Sequence, residues 1–473
     1  MNSSPREPRG KSRSEPEPES DAVYAKHKKV YPREVHGLFA NLRITGVVWL
    51  LGLYYGIPWL RWDERQAVLL DLPNRQFHIF GLTFWPQDFF YFAMLLIIAG
   101  IALFFFTALA GRLWCGYACP QTVWTEVFLW IERKIEGSRS KQMKLDKAEL
   151  SQHKFFKKTL KHTVWILFSA FTGFTFVGYF TPMDVLWQSM ISFELGPWES
   201  FWVIFYSLAT YGNAGWLREQ VCIYMCPYAR FQSAMFDKDT LVISYDELRG
   251  DPRGSRKKSA DPKALGIGDC IDCSLCVQVC PTGIDIREGL QYQCIGCAAC
   301  IDVCNEVMDK MGYDKGLVRY TTENEIEGGK THLFRPRIIL YGALLCIIFI
   351  ALVVAIFNRV PLELDIIRDR NSLFREIKGG LVENIYNLRI VNMTNEKHRY
   401  HLQAGGIDGL QLINKAGDFE VGPSEVYNLN VQLRLDPVVL KRPSNEVTFT
   451  LNALTGEKIT VIENARFIGP VIR

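Results

Sequence analysis

Apolar residues follow two different rhythms along this chain. Up to residue 358 they gather into unbroken stretches, Ile44 to Leu60, Phe89 to Gly111, Thr163 to Met183, Ser200 to Leu217 and Ile338 to Asn358, each without Asp, Glu, Lys or Arg. A helix needs about 20 such residues to cross a bilayer, so the pattern predicts about five transmembrane helices. The first stretch, interrupted by Gly56 and Pro58, and the fourth, with Asn213 between glycines, also suit buried core helices. Beyond Asn358 the period falls to two: Leu362, Leu364, Ile366; Tyr386, Leu388, Ile390; Leu429, Val431, Leu433, Leu435; Val447, Phe449, Leu451. Turn signals such as AGGIDG, VGPSE and LTGEK separate roughly seven short strands, which predicts an antiparallel β-sandwich of immunoglobulin-like type. That segment holds no cysteine and no clustered nucleophile, base or ligand set, and reads as a docking or spacing module.

Residues 1 to 35 are polar and rich in Pro, Ser and Arg, which predicts a disordered tail rather than a signal peptide. A net charge of +4 over 473 residues is too small to suggest a nucleic-acid surface, but its distribution carries information. Eleven Lys and Arg lie in residues 112 to 162 and sixteen in 218 to 337, against three between the first two apolar stretches and none from 184 to 199. Positive segments stay in the cytoplasm, so the expected topology is multi-pass in a bacterial inner membrane, with the N-terminus inside and the sandwich in the periplasm.

The connection between the fourth and fifth stretches carries eight of the thirteen cysteines within 35 residues, as two runs of Cys-x2-Cys-x2-Cys-x3-Cys: Cys270, Cys273, Cys276, Cys280 and Cys294, Cys297, Cys300, Cys304. A [4Fe-4S] cube needs four thiolates, three of which a short loop with two-residue gaps can supply. In bacterial two-cluster ferredoxins the fourth cysteine of each run ligates the other cluster. That rule groups Cys270, Cys273, Cys276 and Cys304 on one cube, and Cys294, Cys297, Cys300 and Cys280 on the second. Zinc sites space their pairs more widely, and disulfides belong to oxidising compartments. The expected cofactors are two [4Fe-4S] clusters in a cytoplasmic, bacterial-type ferredoxin domain.

A second pattern repeats at the ends of the second and fourth stretches: GRLWCGYACPQ, with Cys115 and Cys119, and VCIYMCPYARFQ, with Cys222 and Cys226. Side-by-side repeats would bring four sulfurs together at the inner membrane face. Soft thiolates suit Cu(I), zinc or a further iron–sulfur cluster, and small buried cysteines without a ligand are the other reading. Arg112, Arg218 and Arg230 nearby read as interfacial charges that anchor helix ends. The basic stretch 133 to 162 reads as an amphipathic surface helix against anionic headgroups, with His153 and His162 as interface residues. Cys346, isolated in the last stretch, reads as packing.

These motifs, together with IIRDRNSLFRE after the last stretch and the terminal sandwich, resemble the FixG/CcoG/RdxA family of accessory proteins of cbb3-type cytochrome c oxidase, over nearly everything after residue 30. Asn305 stands where the second cluster run would carry proline, which is not a ligand. The resemblance implies an assembly (accessory) function in which Cu(II) is reduced to Cu(I) before delivery to the oxidase, with Cys115, Cys119, Cys222 and Cys226 as candidates for binding copper or passing electrons. Implied partners are the oxidase assembly machinery, copper-delivery proteins, and a cytoplasmic or quinol electron donor. Two rival readings are a polyferredoxin-like, quinol-linked electron-transfer protein and a non-enzymatic copper-binding scaffold. The expected division is a tail (1–35), a four-helix membrane region (36–235), the ferredoxin domain (236–335), a fifth transmembrane helix (336–358) and the sandwich (359–473).

Overall fold

The computed structural model describes residues 29–470, except 64, 263–264, 370–371, 378, 395, 414–416 and 456–458. Most of the tail expected over residues 1–35 therefore lies outside the described residues. Its last part is not a free tail. Lys29 reaches Glu132 and Asp146 at 3.2 and 3.1 Å, the Tyr31 hydroxyl donates to Asp146 at 2.6 Å, and the Arg33 amide donates to the Gln278 carbonyl at 2.8 Å.

Among the described residues, four helices are long and apolar enough to cross a membrane: Leu38–Trp59, Pro86–Ala110, Gln152–Val177 and Pro336–Phe357. The fourth stretch of the sequence, Ser200 to Leu217, becomes an α-helix over Pro197–Thr210 that continues as π-helical turns over Tyr211–Leu217, packed along Gln152–Val177. Gly173 makes that approach possible, because a Cβ there would meet the Val203 carbonyl and Ser207 at 2.5 Å.

The basic segment 133–162 is not one surface helix. It is the end of an amphipathic helix Pro120–Glu136, a short helix Arg139–Lys147, and the first turns of the third span, which begins at Gln152 rather than Thr163. Its charges turn inward. Lys161 lies 2.9 Å from Glu136 and 3.3 Å from Glu132, all three almost wholly buried, and Arg218 closes the group at 2.8 Å from Glu132. Buried charge persists where it is paired, and here two acids on the helix Pro120–Glu136 meet two lysines on the third span.

The soluble parts sit at the two ends of the last span, which begins beside the cysteine-rich domain and ends at the sandwich. Among the described residues, nine strands of the C-terminal domain build two antiparallel sheets. One runs Gln411–Ile413, Val426–Leu435, Val382–Asn392, Leu362–Arg368, with Arg375–Glu376 added against Val382–Asn392. The other runs Phe419–Val421, His398–Gly405, Ser444–Ala453, Thr460–Ile468. The period-two residues Leu388, Ile390, Val431, Leu433, Val447, Phe449 and Leu451 all face inward and are fully buried. Residues 61–84 form small hairpins at the same end. Trp85 packs on Val391 and Met393, Gln76 donates to the Ser424 carbonyl at 3.1 Å, and Arg359 pairs with Asp88.

Candidate functional site: two cysteine cradles against a ring of membrane-edge thiols

Each cysteine run curls by the same backbone device. Asp272 and Ser274 in the first run, and Gly296 and Ala298 at the equivalent positions of the second, all have φ between 53° and 70°. A left-handed residue costs a non-glycine side chain of order 1 kcal/mol, so Asp272, Ser274 and Ala298, in register with Gly296, mark a loop shaped for a purpose. The short helices Leu275–Val279 and Ala299–Met311 follow the turns and carry the remaining thiols. Strands Val242–Tyr245 and Val318–Thr321 pair beneath them as a two-stranded floor.

Two small spaces result. One is walled by Cys270, Cys273, Cys276 and Cys304, the other by Cys280, Cys294, Cys297 and Cys300, with Cys276 touching both. The fourth thiol of each run thus lies beside the first three of the other. Burial first, with neighbouring thiols adding to it, pushes Cys294 and Cys304 up to about 12 and Cys276 up to about 11. Gathered thiols of this kind ionise only with cations among them, which is the chemistry iron supplies to a four-thiolate cradle, so these residues fit such a group. All thirteen cysteines are free of disulfides.

The two membrane-edge repeats are clipped to one another. Arg112 donates to the Ala229 carbonyl at 2.6 Å, and Gln121 donates to the Asn213 and Arg218 carbonyls at 2.9 and 3.0 Å. Arg112 and Arg218 are therefore buried bridging residues rather than interfacial anchors. Cys119 caps the helix Pro120–Glu136, where Pro120 occupies the first helical position; Cys226 and Pro227 repeat the arrangement. Cys222 sits in a second π-helical turn, Val221–Met225, a conformation concentrated at functional sites.

Burial first, with Cys119 and Cys226 adding to it, raises Cys115 and Cys222 to about 12, so the four thiols lie within electrostatic reach of one another. Among the described residues no three His, Cys, Asp or Glu side chains converge on a point where one metal ion could sit.

Cys115 and Cys222 pack against the apolar cluster that includes Ile295 and Cys297 of the second cradle. This contact is backbone against backbone: a Cβ on Gly116 would lie 2.6 Å from the Gly296 carbonyl oxygen, and one on Gly296 would lie 3.0 Å from that of Arg112. Arg43, in the first span, donates to the Cys297 carbonyl at 3.1 Å, and the Tyr320 hydroxyl donates to the Gly296 carbonyl at 2.8 Å. Asp302, between Cys300 and Cys304, accepts the Phe39 and Ala40 amides at 3.3 and 2.7 Å, capping the first span from the cysteine-rich domain. Sequence reasoning had singled out none of Arg43, Gly116, Gly296, Asp302 or Tyr320.

Known proteins carry the same combination. A family model described as a 4Fe-4S dicluster domain matches residues 217–323, and one described as a 4Fe-4S binding domain matches residues 92–137, whose cysteines are Cys115 and Cys119. A third, described as an IG-like fold at the C-terminal of FixG, matches residues 352–470. Protein RdxB of Cereibacter sphaeroides is 42% identical over 403 residues, covering 82% of this chain and 84% of the relative. Protein RdxA of the same organism is 40% identical, covering 83% and 85%. The nitrogen fixation protein FixG of Rhizobium meliloti is 38% identical over 422 residues, covering 81% and 80%.

The chain belongs to the FixG/RdxA family. As a member of it, the protein is an iron–sulfur electron-transfer protein with apolar membrane helices, a dicluster domain and an immunoglobulin-like C-terminal domain. In this FixG-type chain, the dicluster domain covers both cysteine runs and reaches back to Cys222 and Cys226.

Proposed function

We propose that this protein supports cbb3-type oxidase assembly by reducing Cu(II) to Cu(I) at the inner face of a bacterial cytoplasmic membrane. Cys270, Cys273, Cys276 and Cys304 would hold one [4Fe-4S] cluster, and Cys280, Cys294, Cys297 and Cys300 the other. Bound there, the clusters supply one-electron storage and relay. Cys115, Cys119, Cys222 and Cys226 receive the electrons at the membrane edge and present Cu(II), the substrate, with thiolates that retain it as the softer Cu(I).

The observation that supports this reading is the seam at Gly116 and Gly296. It sets Cys115 and Cys222 directly on the segment carrying Cys297, without a side chain between the two backbones. The cradle with Cys273 is the solvent-facing one, so a donor reaches that cradle and the membrane thiols adjoin the other.

The test is anaerobic purification, iron analysis and low-temperature EPR before and after adding Cu(II). Eight irons per chain, with reduced-cluster signals that disappear as Cu(II) becomes EPR-silent Cu(I), is the expected result. Serine at Cys115, Cys119, Cys222 and Cys226 should keep those eight irons and stop copper reduction. About twelve irons in the wild type would assign the membrane-edge thiols to a third cluster, and reduced clusters indifferent to Cu(II) would leave a scaffold.

A further inference from the structure

The Cys115 thiol is held by a side chain of the other repeat: its Sγ donates to Gln232 Oε1 at 3.5 Å. Gln232 lies on the helix Pro227–Ala234 and Cys115 on Leu113–Tyr117, so the contact crosses from one repeat to the other. Gln232 is fully buried. Its amide Nε2 donates to the Gly111 carbonyl at 3.0 Å and to Thr107 Oγ1 at 3.4 Å. Thr107 gives its own hydrogen to the Leu103 carbonyl at 2.7 Å, so its oxygen accepts from Gln232 and from the Tyr228 hydroxyl, 2.5 Å away. Turning the amide over would set Oε1 against the Gly111 carbonyl oxygen, acceptor against acceptor. The network therefore fixes which end of the amide meets the sulfur. It is the oxygen, which takes a hydrogen bond and gives none.

That contact suits a thiol and opposes a metal-bound sulfur. When Cu(I) binds Cys115 it takes the place of the sulfur's hydrogen, which leaves as a proton to water. The anionic sulfur then faces the Oε1 lone pairs in a buried setting, and a locked amide cannot turn its N–H groups to meet it. Cys119 and Cys226 are placed the other way. Each caps the start of a helix, Pro120–Glu136 and Pro227–Ala234, where backbone N–H groups and the helix dipole favour negative charge. Arg112 lies within reach of both Cys115 and Cys222 and so does not tell those two apart. The four sulfurs are thus unequal as ligands, and the inequality is set by Gln232.

We propose that Gln232 is a positioning residue that makes Cys115 the weak ligand of the four, so that Cu(I) formed at the membrane edge is passed on rather than trapped. The proposal rests on the copper reading above and adds how the product leaves. Four unopposed thiolates would retain Cu(I), the soft ion, as a sink. With Cys115 disfavoured, Cu(I) rests on the sulfurs of Cys119, Cys222 and Cys226, and the fourth position stays open to a sulfur ligand of the receiving molecule. Release leaves the oxidation state of copper unchanged: Cu(I) departs on that incoming ligand, and the Cys115 hydrogen stays on Gln232 throughout.

The test uses the full-length holoprotein in detergent under anaerobic conditions, with Cu(I) affinity measured by competition with bathocuproine disulfonate. Gln232→Leu keeps most of the side chain's bulk and removes the oxygen. It should bind Cu(I) about tenfold more tightly than wild type, the scale of one mismatched buried hydrogen-bonding group, and release it to the chelator correspondingly more slowly, with iron content unchanged. A residue that only joined the two repeats would give the opposite sign, since its loss would loosen the site and weaken binding. Cys115→Ser should lower Cu(I) affinity less than Cys119→Ser or Cys226→Ser, a comparison that stands even where Gln232→Leu fails to fold. Cu(I) affinity unchanged or reduced in a folded Gln232→Leu protein, or equal losses at the three cysteines, overturns the role of Gln232. The two readings fail separately. If wild type binds Cu(I) no better than the protein with serine at all four positions, the copper reading falls and takes this one with it. If wild type binds Cu(I) through these thiols and Gln232→Leu does not tighten it, Gln232 only joins the repeats and the copper reading stands.

Discussion

Replacing Gly116 with alanine sets two effects of opposite sign against each other. Gly116 lies in the short helix Leu113–Tyr117, where alanine is ordinarily favoured over glycine by roughly 0.5 to 1 kcal/mol. Against this, the added methyl would sit 2.6 Å from the Gly296 oxygen, 2.9 Å from its carbonyl carbon and 3.1 Å from the Cys297 nitrogen. All three are backbone atoms that cannot rotate away, and Gly296 itself is held at φ +70°. Overpacking of this kind costs about 1 to 3 kcal/mol, so the contact outweighs the propensity and the seam opens by a net of about 1 to 2 kcal/mol, a five- to thirtyfold loss of the docked form. Cluster content should be unchanged, because no cysteine has moved within its own loop. The rate at which dithionite-reduced protein is reoxidised by Cu(II), followed by stopped-flow absorbance, should fall by about that factor. A Gly116→Ala protein that is more thermostable than wild type and reoxidises at the wild-type rate would show that the backbone contact does not couple the two sites.

Three further outcomes follow from particular contacts. Cys304→Ser should lose the same EPR signal as Cys270→Ser, and Cys280→Ser the same signal as Cys294→Ser; a Cys304→Ser protein that instead loses the Cys294→Ser signal would refute crossed ligation. Burial alone would raise the Glu132 carboxyl, but Arg218, Lys29 and Lys161 override it and hold it at about 2, below its ordinary 4.5. Its stabilisation is therefore complete above pH 4.5 and lost as pH falls towards 2. Glu132→Gln leaves Lys161 and Arg218 underpaired in the interior and should cost about 3 to 5 kcal/mol at pH 7, with the Tm gap to wild type closing below pH 4.5. Arg359→Ala removes the pair with Asp88 and the packing over Phe84 that join the last span to the hairpins; limited proteolysis should then cut near residues 85–90 or 358–362 without change in iron content.

Cysteine spacing and the change of hydrophobic period carried most of this protein in the sequence alone. Eight cysteines at fixed gaps allow few chemistries, and strands such as Val447, Phe449, Leu451 declare their buried face by alternation, because both are local properties of the chain. The start of the third span at Gln152 was hidden because Lys158 and Lys161 look like surface charge until Glu132 and Glu136, more than twenty residues away, are folded against them. The π-helical turns at Tyr211–Leu217 and the inward roles of Arg112 and Arg218 were hidden for the same reason. Only the tertiary structure brought Gly116 against Gly296 and Arg43 against the Cys297 carbonyl. A close approach of two backbones leaves no trace in composition or period, and it is this non-local contact that sets the membrane thiols beside the cysteine cradle.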